Sequence, residues 1–352
     1  MKVDLKELEK RSEYINCQKH DTLDLLIWNY NHKCQYSKAW DEYTMMCRGL
    51  ITNSDGMIIA RPFKKFFNLN EKEETKIENL PSEVPLILEK LDGSLGIQYP
   101  AKNGCGIATR GSFNSDQAQW ATEWFNHNVA FEYSDPRYTY LYEILYPENR
   151  IVVDYGGKEG MVLLAVVDRI TGDMLNHMET MRFANAMRVE TPKVINSDIQ
   201  KLVGSLSNLS GNEEGFVVRY SNGLMLKMKG EEYVRLHRLI TGFSSKSIWE
   251  CLMSGNNLYE IISRVPDEFY TWVKNKETEL QELYAKTLSD VQEAYEVVKD
   301  LDGRKEQAQM ILSKYSSISG LVFSMLDGKP VDTAIWRTLK PKYELPFRTD
   351  DN

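Results

Sequence analysis

The rhythm of hydrophobic and polar positions changes twice along the chain. From 2 to 30 the apolar positions Leu5, Leu8, Ile15, Leu23, Leu25, Leu26 and Ile27 read as helical. Between about 45 and 230, short β-rich runs recur at 47–52, 57–62, 84–90, 95–99, 139–145, 151–153, 161–168, 214–220 and 224–229. Turn signals separate them: Asn53-Ser54-Asp55-Gly56, Asn103-Gly104, Gly156-Gly157, Thr171-Gly172-Asp173 and Asn222-Gly223. Helical spacing returns at 114–131, through Gln117, Trp120, Trp124 and Phe125, and near 178–188. From about 240 the strand pattern stops. Leu280, Tyr284, Leu288, Val291, Tyr295 and Val298 predict a long amphipathic helix over 276–300, closed by Asp302-Gly303, with further helices at 304–315 and 331–339. The chain is therefore expected to be α+β, with an antiparallel-sheet domain over 1–240 and a small all-helical domain over 241–352.

Length and charge narrow the class. The 352 residues allow about two domains at ~150 residues each. The net charge of −8 rules out a global basic footprint for nucleic acid, but a local basic cleft remains open to an acidic protein. Five cysteines, an odd number with no C-x-x-C pair, read as reduced thiols in the cytoplasm rather than a disulfide framework. No His stands beside another metal-ligating residue in a zinc-like spacing. The polar N-terminal stretch has no signal-peptide core, and no run approaches the ~18 apolar residues of a membrane span, so no membrane partner is expected.

Four segments carry chemistry. In Glu89-Lys90-Leu91-Asp92-Gly93, Lys90 ends an apolar run where a strand enters a turn, so it can project from a sheet rim into a cleft. In 213–229, Asn222-Gly223 between two β-like runs signals a hairpin. Period two then puts Lys227 and Lys229 on one face and Leu226 and Met228 on the other. Two like charges on one face call for a polyanion between them, while a solvated edge strand guarded by lysine is the plainer alternative. Glu143 lies between apolar strand residues and needs a partner. Two strands joined through Ser54-Asp55-Gly56 would hold Arg48 near Lys65. No glycine-rich phosphate loop is present, so a nucleotide would be held by side chains.

Each block is weak alone; their order is specific. RGL, KKFFN, EKLDGSL, TRGS, YEILYPENRIVVDYG, EEGFVV and LKMK, spread over roughly 45–235, resemble the covalent nucleotidyltransferase superfamily of ATP-dependent ligases and capping enzymes. In detail they resemble the bacteriophage RNA ligase 1 family. That resemblance implies an ATP-dependent RNA ligase with Lys90 as the nucleophile that becomes AMP-lysine, assisted by Lys227 and Lys229. It implies an ATP site made by Arg48, Lys65, Glu89, Lys90, Asp92, Gly93, Arg110, Glu143, Glu214, Lys227, Lys229 and Tyr233, with Glu143 and Glu214 as ligands of Mg²⁺ or Mn²⁺. Lys64 beside Lys65 leaves that block's register open by one. The implied partner is single-stranded RNA, or a nicked tRNA, with 5′-phosphate and 3′-hydroxyl ends, sealed by a monomer in RNA repair in a host-cell cytoplasm. Lys90 is expected to have its pKa depressed by Lys227, Lys229 and a metal, because a free lysine at ~10.4 is nearly all charged. DNA ligases and capping enzymes share the lysine motif but follow it with a barrel of about five short strands, whereas 241–352 reads as helices. A catalytically silent RNA-binding scaffold is the remaining alternative.

Overall fold

Twelve strands and thirteen α-helices make up the described part of the computed structural model, which covers residues 2–102, 104–262, 265 and 267–342. The strands are β1 (Ile15–Lys19), β2 (Leu26–Tyr30), β3 (Arg48–Thr52), β4 (Ile58–Ala60), β5 (Phe67–Asn68), β6 (Leu86–Lys90), β7 (Ser94–Ala101), β8 (Gly104–Ala108), β9 (Tyr138–Leu145), β10 (Gly160–Asp168), β11 (Gly215–Arg219) and β12 (Met225–Lys229). They form three four-stranded sheets, ordered β1-β2-β3-β4, β10-β9-β7-β8 and β5-β12-β11-β6. The strands within each sheet pair antiparallel except in the short β12–β5 ladder, which is parallel.

The chain divides into two compact units, with the division after Arg235. It falls within a helix, Glu231–Gly242, that also contains the expected boundary at 240. In the first unit, Ile27, Ile51 and Ala60 of the first sheet pack against Ile97, Leu141, Ala165 and Val167 of the second. The second sheet's other face is covered by helices at Asp116–Asn128 and His177–Met187, which bury Phe125 and Ala184 against Tyr140 and Tyr142. The third sheet buries Ile87, Val218, Leu226 and Met228 against Ile199 and Leu202 of the helix Ile199–Ser205. The expected face division of β12 is thus observed, with Leu226 and Met228 inward and the two lysines on the opposite side.

The second unit is helical among its described residues. The long helix Asp267–Val298 buries Val291, Ala294 and Val298 against Ile311, Val322 and Ile335 from the three helices that follow it, Arg304–Lys314, Ser319–Leu326 and Asp332–Thr338. This packing, not a coiled coil, accounts for its apolar stripe. No described helix is long and apolar enough to cross a membrane.

Two expectations fail. Residues 2–30 are not one helix: a single turn at Leu5–Glu9 is followed by β1 and β2. Ile27, Trp28 and Tyr30 are all buried, so β2 is covered on both faces and reads as a continuous apolar run, which periodicity cannot tell from a helix. Residues 151–153 form no strand. The Val152 and Val153 N–H groups both donate to one Asp92 carboxylate oxygen, at 2.9 Å each, instead of to a neighbouring strand. In the turn expected at Asn103-Gly104, Asn103 lies outside the described residues. The sequence pattern also left out β5, β8 and the helices at His32–Ser37 and Glu42–Met46.

Candidate active site

The third sheet aligns the lysines. Its register sets Lys90 opposite Gly215 and Gly215 opposite Lys229, with Leu88, Val217 and Lys227 two residues along the same face. Gly215 is therefore the rung between two ammonium groups. It has φ +135°, and a Cβ there would sit 2.0 Å from the Met228 carbonyl oxygen, so no other residue fits. Without a side chain on that rung, the carboxylate of the preceding residue reaches across. Glu214 accepts from Lys90 Nζ at 2.7 Å through one oxygen and from Lys229 Nζ at 2.9 Å through the other.

The electrostatics follow from this bridge. Glu214 is 2% exposed; burial raises its pKa, but the two ammonium groups outweigh burial and hold it below the usual carboxylate range. Burial lowers the Lys90 pKa, yet Glu214 and Glu143 more than offset it, and the net direction is upward. The expectation of a depressed Lys90 is therefore corrected: its carboxylates hold the side chain as an ammonium. Lys227 is the lysine pushed far down, first by burial and then by the charges of Lys65, Lys229, Lys90 and Arg48. Among the described residues no carboxylate pairs with Lys227.

Behind Lys90 the turn is fixed by Asp92, which is 3% exposed. One carboxylate oxygen takes the two valine N–H groups, and the other accepts from the Tyr233 hydroxyl at 2.7 Å. The Asp92 N–H donates to Tyr155 Oη at 2.7 Å. Gly93 follows with its N–H donating to Glu143 at 2.9 Å, where a Cβ would come within 2.4 Å of the Ile144 carbonyl oxygen. Glu143, in the middle of β9, is buried; desolvation and the charges of Glu214 and Asp92 push its pKa to about 7 against the opposing pull of Lys90.

A second cationic group surrounds Tyr30. The Lys65 ammonium lies 5.5 Å from its ring centre and 5.2 Å from that of Trp40, and the Arg110 guanidinium carbon lies 5.3 Å from the Tyr30 ring. Arg110 also donates to Tyr30 Oη at 3.4 Å. Burial raises the Tyr30 pKa, but Arg48, Lys65 and Arg110 together bring it below its ordinary value. Of the two lysines at 64–65, Lys65 is the one beside Tyr30 and Trp40, while Lys64 is exposed. Tyr30 is not among the residues the sequence points to, because the helical spacing of 2–30 hides its strand; its signal is the aromatic-rich run Ile27-Trp28-Asn29-Tyr30.

Of the implied site residues, Lys90, Lys229, Glu214, Glu143, Asp92, Gly93 and Tyr233 form one contiguous network. Lys227, Lys65, Arg48 and Arg110 form the flanking cationic group. Glu89 belongs to neither. It alternates with Lys90 along β6, and its carboxylate accepts from the Lys193 N–H at 2.9 Å. Among the described residues, no cluster of three or more His, Cys, Asp or Glu has the arrangement of a metal cage.

Comparison with known proteins gives concordant matches. A family model described as RNA ligase matches residues 46–233. A candidate RNA ligase of Thermovibrio ammonificans is 27% identical over 207 residues, covering 55% of this chain and 53% of that protein. An RNA ligase of Rhodothermus phage RM378 is 23% identical over 359 residues, covering 82% of this chain and 79% of that protein. The chain thus spans about half the length of the first relative and most of the second. Among solved structures, an archaeal ATP-dependent RNA ligase superposes with a TM-score of 0.50 at 13% identity, over 93% of this chain and 96% of that one, which is a likeness of fold.

Proposed function

The chain belongs to the RNA ligase family whose model spans residues 46–233, and we propose that it seals RNA 5′-phosphate and 3′-hydroxyl ends with ATP through a lysyl-AMP intermediate on Lys90. The observation that carries this reading is the bridge Lys90–Glu214–Lys229 beside the cationic group of Lys227, Lys65, Arg48 and Arg110. A nucleophilic lysine, carboxylates and a bank of cations are what nucleotidyl transfer needs, because charge must be neutralised on the transferring phosphorus and on departing pyrophosphate.

Lys90, having lost a proton, forms a P–N bond to the ATP α-phosphorus as the bond to the β-phosphate breaks and pyrophosphate leaves. An oxygen of the RNA 5′-phosphate then attacks that phosphorus, the P–N bond breaks, and Lys90 recovers its proton. Finally the 3′-hydroxyl attacks the 5′-phosphorus, closes the phosphodiester and releases AMP. Lys229 and Lys227 meet the α-phosphate, and Lys65 and Arg48 the outer phosphates. Asp92, pinned by Tyr233 and the two valine amides, keeps Lys90 aimed.

A divalent cation fits the donor chemistry. Mg²⁺ uses one or two carboxylates together with phosphate oxygens and water rather than a full protein cage. Glu143 is the better candidate, since both oxygens of Glu214 are engaged by lysines. A cation held by Glu143 would supply positive charge that offsets the carboxylates' hold on the Lys90 proton. RNA repair, with a nicked tRNA among its substrates, is the biological role that we attach to this chemistry; the five free cysteines suit a reducing cytoplasm.

The experiment is a sealing assay with ATP and Mg²⁺ on single-stranded oligonucleotides bearing 5′-phosphate and 3′-hydroxyl ends. Joined RNA, with DNA ends sealed far more slowly, is the expected result. Efficient sealing of nicked duplex DNA in preference to RNA would overturn the RNA assignment, and tight RNA binding with no ATP turnover would point to a silent scaffold.

A further inference from the structure

Lys90 and Lys229 are restrained by a carboxylate, whereas Lys65 is restrained by rings. Its ammonium stands 5.5 Å from the Tyr30 ring centre, 5.2 Å from that of Trp40 and 5.5 Å from that of Phe67. Aromatic faces attract a cation at this range. Among the described residues no carboxylate pairs with Lys65. The difference matters chemically. A carboxylate fixes an ammonium but cancels its charge; rings fix it and leave the whole charge for an anion.

Trp40 joins the walls of this cage. Its ring meets Tyr30 edge-on at 5.0 Å and 89°, and Phe67 at 5.8 Å and 75°. The chain that carries it is short and tied down. Lys38 ends the helix His32–Ser37 in the left-handed region, at φ +53°, and Asp41 opens the helix Glu42–Met46 through a capping box with Thr44. Between them the Trp40 N–H donates to the Lys38 carbonyl at 2.8 Å, and the Ala39 carbonyl accepts from Thr44 Oγ1 at 3.0 Å. The Lys65 N–H donates to the Met45 carbonyl at 2.7 Å, so the lysine's own backbone is tied to the helix that follows Trp40.

On the ligase reading, on which this inference rests, Lys65 meets the outer phosphates of ATP. They carry growing charge as the P–N bond forms and then leave as pyrophosphate. Once they have gone, Lys65 has no further charge to neutralise. We propose that Trp40 is a positioning residue that holds the Lys65 ammonium where pyrophosphate departs. It serves lysyl-AMP formation and its reversal, but not the transfer of AMP to RNA. In the reversal a pyrophosphate oxygen bonds to the α-phosphorus, the P–N bond breaks, Lys90 recovers its proton and ATP is released.

The test uses the full chain with Trp40→Leu, which removes a ring face, and Trp40→Phe, which keeps one. Trp40→Met replaces Trp40→Leu if that variant melts below the assay temperature. Three steps are timed separately: lysyl-AMP formation from ATP, its reversal by pyrophosphate, and AMP transfer from the isolated adenylylated protein to a 5′-phosphorylated RNA oligonucleotide. In Trp40→Leu the KM values for ATP and for pyrophosphate rise about tenfold or more, while transfer stays within about twofold of wild type. Trp40→Phe recovers most of that loss. In a Lys65→Met background Trp40→Leu adds no more than about a twofold effect, because it acts through that lysine. A loss shared equally by all three steps, or one undiminished without Lys65, would assign Trp40 to the fold alone and overturn the proposal, as would wild-type KM values in Trp40→Leu. If no lysyl-AMP forms even in the wild type, the ligase reading fails, and calorimetric titration with pyrophosphate decides the cage by itself. Wild-type binding that weakens about tenfold in Trp40→Leu and returns in Trp40→Phe would sustain it. No binding by the wild type, or equal binding by wild type and Trp40→Leu, would sink it.

Discussion

The Lys90 ammonium stands 2.7 Å from a Glu214 carboxylate that is 2% exposed, so Lys90 is held as one half of a buried ion pair. A lysine so held is a poor nucleophile until the negative charge around it is offset. Replacing Glu214 by Gln removes the largest upward pull on the Lys90 pKa. The pH profile of lysyl-AMP formation in Glu214→Gln is therefore expected to shift to lower pH, with a lower maximal rate because Lys229 and Lys90 lose their shared anchor. A profile that keeps its wild-type midpoint would show that Glu214 does not govern the Lys90 proton.

Lys227 presents the opposite case. Burial and four neighbouring cations disfavour its charge in the empty protein. A lysine whose folded pKa lies below its unfolded value costs stability at pH values below that folded pKa, and the cost fades as pH rises toward the unfolded value. Lys227→Met is expected to raise Tm at pH 7 while reducing lysyl-AMP formation at least a hundredfold. Thermal melts read beside the adenylylation rate test this, and a drop in Tm would contradict the charge argument.

Glu143 gives a prediction with a fixed pH window. Its folded pKa of about 7 is above the 4.5 of a free glutamate, so its contribution to stability is fully present below about 4.5 and is lost as pH rises through 7. Glu143→Gln, which cannot ionise, is expected to match wild type in Tm near pH 5 and to exceed it near pH 8.5. Parallel Tm curves for the two proteins across that range would show that Glu143 titrates elsewhere.

Much of the fold and site could be read from the sequence because the responsible residues sit in regular strands. Period two alone placed Lys227 and Lys229 on one face of β12, and Asn222-Gly223 announced the hairpin that brings β11 alongside. What escaped the sequence depends on contacts between distant segments. Tyr30 gathers Arg48, Lys65 and Arg110 from three separate stretches, inside a strand whose leucine-rich lead imitates a helix. Residues 151–153 have strand-like composition, but their amides serve Asp92, a partner 60 residues away that no local pattern reveals. The direction of the Lys90 shift also could not be read locally, since it turns on whether the carboxylates or the cations come nearer.

Gly215 tests the geometry rather than the charges. Gly215→Ala would place a Cβ against the Met228 carbonyl oxygen at a φ that side chains rarely adopt. The combined strain and overpacking are expected to cost ~3 kcal/mol or more, read as a fall in the denaturation midpoint. A variant as stable as wild type would mean that the β11–β12 rung between the two lysines is arranged differently.

The role of Lys90 is reached most directly by incubating the protein with α-labelled ATP and Mg²⁺ and resolving it on a denaturing gel beside Lys90→Ala. Label that survives denaturation in the wild type and is absent from Lys90→Ala is the predicted result. No label in wild-type protein shown to be free of bound AMP, or equal label in the two proteins, would contradict it.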